Sequence, residues 1–379
     1  VNRKLFTLLA VLVSLSIVLT ACTQQDCPDC PVCPEGGECP DCPDAPICPE
    51  AVECPDCPEV AEAAGDRLQL IKDRGNLICG VNAELIGFGY INPDGEFEGF
   101  DVDFCKALAA AVFGDATKVE YRPLTASERL PALQTGEIDV LLRNTTWTLT
   151  RDTANELNWA AVTFYDGQGM MVRTDSGWDS LEDMAGATVC CTTGTTTEMN
   201  LADAFRMRDT EFTPLLFEST QDTNTTYEEG RCDGETSDKS QLAALRSAMA
   251  VPEDHTILDV TMSKEPLGPL TAHGNDQWND VVRWVTWGMM EAEEKGVSST
   301  NLTEMLASND PTIKRLLGVE GEVGASLGLS NDFMINVLTQ VGNYEEVYMR
   351  HLGPDGIDIP RGPNELWING GLLYPMAWR

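Results

Sequence analysis

Residues 127–151 read Ser127-Glu-Arg-Leu-Pro-Ala-Leu-Gln-Thr135, Gly136-Glu137, Ile138-Asp-Val-Leu-Leu142 and then Arg143-Asn-Thr-Thr146-Trp-Thr-Leu-Thr-Arg151. The first run has helical character and Gly136 closes it, the short apolar run 138–142 reads as a strand, and a hydroxyl-rich segment follows that strand's carboxyl end. Upstream, 76–81 reads as a strand, Asp94-Gly95 as a turn, 102–113 as a helix with apolar residues at helical spacing, and 117–121 as another strand. Together they make a βαβαβ half of an open sheet. A second such series follows, with strands near 169–173, 187–191 and 211–217 and helices beginning near Thr195 and Asp238. Lys264-Glu-Pro-Leu-Gly-Pro269 carries two prolines and suits a connection between lobes, and beyond it 277–294 and 332–351 each read as one long helix before a tail rich in Gly and Pro.

The N-terminal end is of another kind. Asn2-Arg3-Lys4 precedes an apolar run 5–19 and then Leu19-Thr-Ala-Cys22, the order of a secretory signal peptide. About 15 apolar residues fall short of the roughly 20 that span a bilayer. The segment resembles the lipobox of bacterial lipoproteins, which implies export, cleavage and lipidation of Cys22, leaving the protein outside the cytoplasmic membrane and anchored to it. Residues 23–65 carry Cys27, Cys30, Cys33, Cys39, Cys42, Cys48, Cys54 and Cys57, with acidic residues between them and no Lys or Arg, and Cys-Pro-Asp-Cys-Pro begins at 27, 39 and 54. Proline and one-sign charge extend a chain, so the tract reads as a disulfide-stapled stalk. Paired cysteines are also a zinc-ligand spacing, but an exported tract meets oxidising conditions and has no histidine nearby, so no metal is expected.

With 61 acidic and 25 basic residues the net charge is -36, a poor match to nucleic acid or anionic lipid. The three histidines, His255, His273 and His351, stand in no metal or triad spacing. That disfavours histidine-dependent hydrolysis and most zinc catalysis. Roughly 315 residues remain after the signal and stalk, enough for two domains.

Three stretches suit a cleft between two α/β lobes. Hydroxyl residues and an arginine in 143–151 can present a fork to a carboxylate, or can merely cap a helix. Gly194-Thr-Thr-Thr-Glu198, between a strand and a helix, leaves amide donors for an anion, although Thr195 and Glu198 also have capping-box spacing. Asp238 closes Gly230-Arg-Cys-Asp-Gly-Glu-Thr-Ser-Asp238, where it either caps the next helix or faces an ammonium group.

Gly99-Phe-Asp-Val-Asp103, Thr145-Thr-Trp-Thr-Leu-Thr-Arg151, Tyr165-Asp-Gly-Gln-Gly169, Gly194-Thr-Thr-Thr-Glu198 and Gly230-Arg-Cys-Asp233 resemble the amino-acid-binding proteins of ABC importers. Lys264–Pro269, Ile313-Lys-Arg-Leu-Leu-Gly-Val319 and Val341-Gly-Asn-Tyr344 narrow the likeness to the larger general L-amino acid-binding proteins. The likeness spans 66–379. It implies an α/β, two-lobed periplasmic-binding-protein type II fold, two open sheets joined by hinge strands, with a helical C-terminal extension. The expected divisions are a signal peptide with lipobox at 1–22, the stalk at 23–65, the first lobe at 66–165, the second at 166–265, and a return to the first lobe with the extension at 266–379.

The resemblance also implies that Arg151 and Thr146 hold a ligand carboxylate with donors at Thr195 and Thr196, and that Asp238 holds the ammonium, helped near Asn144. It implies free L-amino acids as ligands, permease subunits as partners, a monomer and no cofactor. Trp147, Arg143 and Arg129 are placed with equal weight as specificity residues or as packing or surface residues, and Glu84 is placed to face a basic ligand or water. Cys79 and Cys105 are expected to pair, as are Cys190 and Cys232, whose positions match family cysteines; adjacent Cys191 could take the place of Cys190. An enzyme would need a general acid or base beyond the zwitterion contacts, and a sensor would need further segments; neither is visible.

Overall fold

The computed structural model describes residues 66–379; the expected signal segment with Cys22 and the 23–65 tract lie outside the described residues. The chain forms β1 (Leu77–Val81), α1 (Phe100–Phe113), β2 (Val119–Pro123), α2 (Arg129–Gln134), β3 (Val140–Leu141) and β4 (Leu157–Trp159). It crosses through β5 (Phe164–Asp166) into β6 (Gln168–Arg173), β7 (Thr188–Thr192), α3 (Thr196–Arg206), β8 (Thr213–Phe217), α4 (Thr220–Glu228), β9 (Gly234–Asp238), α5 (Lys239–Ala248) and β10 (His255–Ile257). It returns through β11 (Glu265–Leu267) to β12 (Leu270–Ala272), then α6 (Asp276–Glu294), α7 (Phe333–Gln340) and α8 (Tyr344–His351).

Two five-stranded sheets result, ordered β2-β1-β3-β12-β4 and β8-β7-β9-β6-β10. In each, three strands run parallel and the other two join antiparallel. The two crossings, β5 and β11, pair antiparallel with each other, Glu265 opposite Asp166 and Leu267 opposite Phe164. This is the type II binding-protein fold. Among the described residues no helix is long and apolar enough to cross a membrane.

Helix α1 is buried along almost its whole length because it lies between the first sheet and α6, α7 and α8. Gly99, before it, has φ +138°, and a Cβ there would meet the Phe88 carbonyl at 2.3 Å, so only glycine lets the chain turn into the helix. Phe88, Phe100 and Phe164 meet edge-on with centroids 5.3–6.4 Å apart, and Tyr348 stacks on Phe164. The core therefore reaches the crossing strands, and Tyr344 donates its hydroxyl proton to the Thr163 carbonyl (2.7 Å) just before β5.

A disulfide joins Cys79 of β1 to Cys105 of α1, and a second joins Cys190 of β7 to Cys232. Cys191 is free and buried on the other face of β7, as strand alternation requires. Burial pushes its thiol up to about 12, so it behaves as a small apolar residue.

The long helix read over 332–351 is two helices. Gly342 takes φ +103°, and Asn343 starts α8 with a reciprocal capping box with Glu346. A strong local start signal overrides the continuous apolar periodicity.

Glu235 of β9 is buried, and its Oε2 has no hydrogen-bond partner. Burial, and then the charge of Glu228, pushes its carboxyl from 4.5 up to about 8. Between those values the unfolded chain has released the proton and the fold has kept it, so stability falls as pH rises through that window. Glu235→Gln is expected to be more stable than the parent above about pH 8, by a few kcal/mol at ~1.4 kcal/mol per pKa unit. The gap should close toward pH 4.5. Urea midpoints at the two ends of the window measure it, and a gap of equal size at both would refute the assignment.

Candidate functional site

In each parallel unit the strands' carboxyl ends and the following helices' N-termini share one edge, and the two edges face each other. The segments after β3 and β7 and the last residue of β9 line a single cavity. Asn144, Thr146, Thr195, Thr196 and Asp238, all expected in the cleft, line it.

Asn144 has φ +36°, which asparagine tolerates better than most residues. Its amide donates to Asp101 Oδ2 (2.7 Å), and its side chain accepts from Asn82 Nδ2 (3.3 Å). Asp101 is fully buried and pushed up to about 7, the Asn144 amide and Arg143 only partly offsetting burial. Thr195 caps α3 by accepting from the Glu198 amide (3.3 Å), so the capping reading holds for its hydroxyl. Glu198 Oε2 does not complete the box; it accepts from Thr193 Oγ1 and the Gly194 amide. First-turn amides such as those of Thr196 and Thr197 have no acceptor inside the helix and remain for a ligand. Thr196 Oγ1 donates to Glu265 Oε2 (2.9 Å).

Arg151 is the exception among the expected residues. It sits on a short helix, Leu149–Thr153, capped by Thr148, and its Nη1 donates to the Thr146 carbonyl (3.0 Å). It is buried one residue removed from the cavity wall, close enough that Glu265 and Asp238 act on its charge.

Arg129 and Arg143 instead stand on the wall. Both are buried. Arg129 donates Nη1 to the Arg143 carbonyl (3.1 Å) and leaves Nε without an acceptor; Arg143 donates Nε to the Leu124 carbonyl (2.6 Å). Burial, then Arg151 and Arg143, lowers the Arg129 pKa well below its ordinary value, while Asp238 and Glu265 oppose the shift. The sequence left both open as specificity, packing or surface residues, although their positions favour the first. Arg129 opens α2, and Arg143 follows β3, so both lie at the edge where this topology places ligands.

Asp238 has no side-chain hydrogen bond to a described residue, although it is the residue before α5. Burial, then Asp166 and Glu265, raises its pKa well above the usual carboxylate range, against Arg129 and Arg151. The space left in the cavity is about 30 Å³, room for a water or two and for no amino acid. Contacts between the lobes close it. Asn144 Nδ2 donates to Gln241 Oε1 (3.4 Å), the hydroxyls of Thr146 and Thr196 are 3.4 Å apart, and Ser127 Oγ donates to Glu218 Oε2 (3.0 Å). Glu84 is exposed and borders an adjoining space of about 130 Å³ that shares Arg143 and Thr220 with the cleft. Trp147 is stacked on Trp159 and half exposed outside the cleft. Among the described residues no cluster of His, Cys, Asp and Glu could hold a metal ion.

Residues 77–315 match the family model of bacterial extracellular solute-binding proteins, family 3. The chain is 48% identical over 315 residues to the General L-amino acid-binding periplasmic protein AapJ of Rhizobium johnstonii, covering 82% of this chain and 92% of that protein. It is 45% identical over 319 residues to the Glutamate/glutamine/aspartate/asparagine-binding protein BztA of Rhodobacter capsulatus, covering 84% and 94%. A solved ABC transporter periplasmic binding protein from Brucella ovis, with glutathione bound, superposes with a TM-score of 0.81 at 46% identity, covering 83% of this chain and 99% of that one.

Proposed function

We infer that this chain, which belongs to the bacterial extracellular solute-binding proteins, family 3, captures free L-amino acids between its lobes and delivers them to the permease of an ABC importer. The observation that carries this is that the cleft gathers donors and an acceptor. Thr146, the α3 N-terminus and the unpartnered Asp238 carboxylate line it together, and Arg151 donates to the Thr146 carbonyl just behind the wall. A zwitterion needs donors for its carboxylate and an acceptor for its ammonium, and closure removes both pairs from water. Because the gap has no room for a ligand, the lobes must part and close again, and the ligand favours closure by touching both. The protein acts as a monomer, lipid-anchored through Cys22 outside the cytoplasmic membrane, and is not an enzyme. No histidine lines the cleft, and every carboxylate there is accounted for by zwitterion binding or protein contacts.

Calorimetric titration with L-amino acids, their D-isomers and glutathione, after removal of copurified ligand, tests this reading. Binding of several L-amino acids, with compaction in small-angle scattering at saturation, is expected. Silence across the panel, or binding without compaction, refutes it.

Arg129 sets the preferred side chain. Its Nε lacks an acceptor, and burial together with the neighbouring Arg151 and Arg143 guanidinium groups disfavours its charge. A ligand side chain ending in a carboxylate or amide oxygen supplies what is missing. Arg129→Ala is therefore expected to weaken glutamate about tenfold more than alanine. Changing Glu84, at the exposed mouth, should alter only the ranking of ligands. Equal loss for glutamate and alanine in Arg129→Ala would make Arg129 a structural residue.

A further inference from the structure

A larger cavity, about 930 Å³, lies beside the crossing strands. Its walls come from β5, the segment 264–266, α5 of the second lobe, and the C-terminal segment 358–364 with Leu372. Its size and its largely apolar wall, including Phe164, Tyr165, Pro266, Ile359 and Pro360, match those of small-molecule sites. The C-terminal part of the wall is fixed in place. Asn364 accepts from the Tyr165 amide (2.6 Å) and donates to the Tyr165 carbonyl (3.1 Å), and Arg361 pairs with Glu293 (2.7 Å).

The charged groups around this cavity are unevenly satisfied. Asp166 accepts from the Gly167 amide (2.8 Å) and from the Ser240 amide (3.2 Å) and hydroxyl. Glu265 accepts from Thr196, Asn200 and Ser263. Lys239, Arg246 and Lys264 line the same cavity and, like the carboxylate Asp358, have neither an ion pair nor a side-chain hydrogen bond to any described residue, which leaves three free positive charges to one negative. Three unpaired cations around one apolar wall attract an anion and give its body an apolar surface to rest on.

We propose that this cavity is a second ligand site, for a small organic anion whose aromatic or aliphatic body lies on Phe164, Tyr165 and the prolines while its carboxylate, sulfonate or phosphate faces Lys239, Arg246 and Lys264. The site is separate from the amino-acid cleft and can be tested with no amino acid present. The probe is 8-anilinonaphthalene-1-sulfonate, titrated onto the full chain by fluorescence, with N-phenyl-1-naphthylamine as its uncharged counterpart. One saturable site per chain is expected for the sulfonate, weakened about tenfold or more by Lys264→Glu and by Arg246→Glu and less by Lys264→Gln and Arg246→Gln. Near-UV circular dichroism of each variant should match the parent. Equal binding of the uncharged dye, or sulfonate binding indifferent to both charge reversals, overturns the proposal.

Discussion

Arg151→Ala is expected to weaken every L-amino acid by a similar factor, about a hundredfold or more, because the group we propose it holds is the α-carboxylate that all of them share. Truncating one partner of a desolvated, hydrogen-bonded charge pair costs roughly 2–5 kcal/mol, which corresponds to about thirtyfold to several thousandfold in affinity. Arg151 is buried and anchored to the Thr146 carbonyl, so its guanidinium is held before the ligand arrives, and little ordering cost offsets the contact. Calorimetry with alanine, glutamine and glutamate reads the pattern. Losses of one size across the three support the assignment. Unaltered binding, or a loss confined to glutamate, would transfer the carboxylate to Arg129 or Arg143, which stand on the cavity wall where Arg151 does not. Retained circular dichroism separates lost contact from lost fold, since the hydrogen bond to Thr146 also disappears.

The second large effect concerns Asp238. Between the closed lobes its carboxyl is buried without a hydrogen-bond partner, and burial and nearby acids raise its pKa. Only the ionised form pairs with an ammonium group. Below the raised pKa, binding must therefore expel a proton, and affinity falls with decreasing pH by up to about tenfold per unit. Above it, affinity is level. Asp238→Asn should lose about a hundredfold at neutral pH and should also flatten this profile, because the amide has no proton to expel. Titrations across the acid range in buffers of different ionisation enthalpy would detect the released proton. A parent profile that stays flat, or an Asp238→Asn profile as steep as the parent's, would remove Asp238 from the ammonium end.

Local patterns accounted for much of the architecture. β1, β6 and β7 carry short, mostly buried runs, and α6 has a strong apolar face, so period and length were sufficient to place them. Helix α4, Thr220-Gln-Asp-Thr-Asn-Thr-Thr-Tyr-Glu228, was not placed. Its threonines and asparagine are poor helix formers, and it forms because Ser219 caps it and Tyr227 packs beneath β7 and β9. The break at Gly342 was missed for the opposite reason, since apolar periodicity ran on across a cap.

By itself the sequence determined the α/β strand and helix order, the order of the family motifs, and which segments end at the ligand-facing edge. These depend on periodicity, turn residues and caps, interactions that reach only a few residues along the chain. Tertiary structure alone decided which residues meet across the gap. Arg129 and Arg143 could equally have been surface cations until folding buried them beside Asp238. Cys190 rather than Cys191 faces Cys232 because β7 presents alternate residues to opposite faces, and packing settles which face meets α4. Asp238, equally suited to capping, does not cap α5, because the Lys239 and Ser240 amides donate to the Gly167 carbonyl and to Asp166 Oδ2 instead. These outcomes depend on the placement of elements far apart in sequence, which burial and close packing settle and local propensity does not.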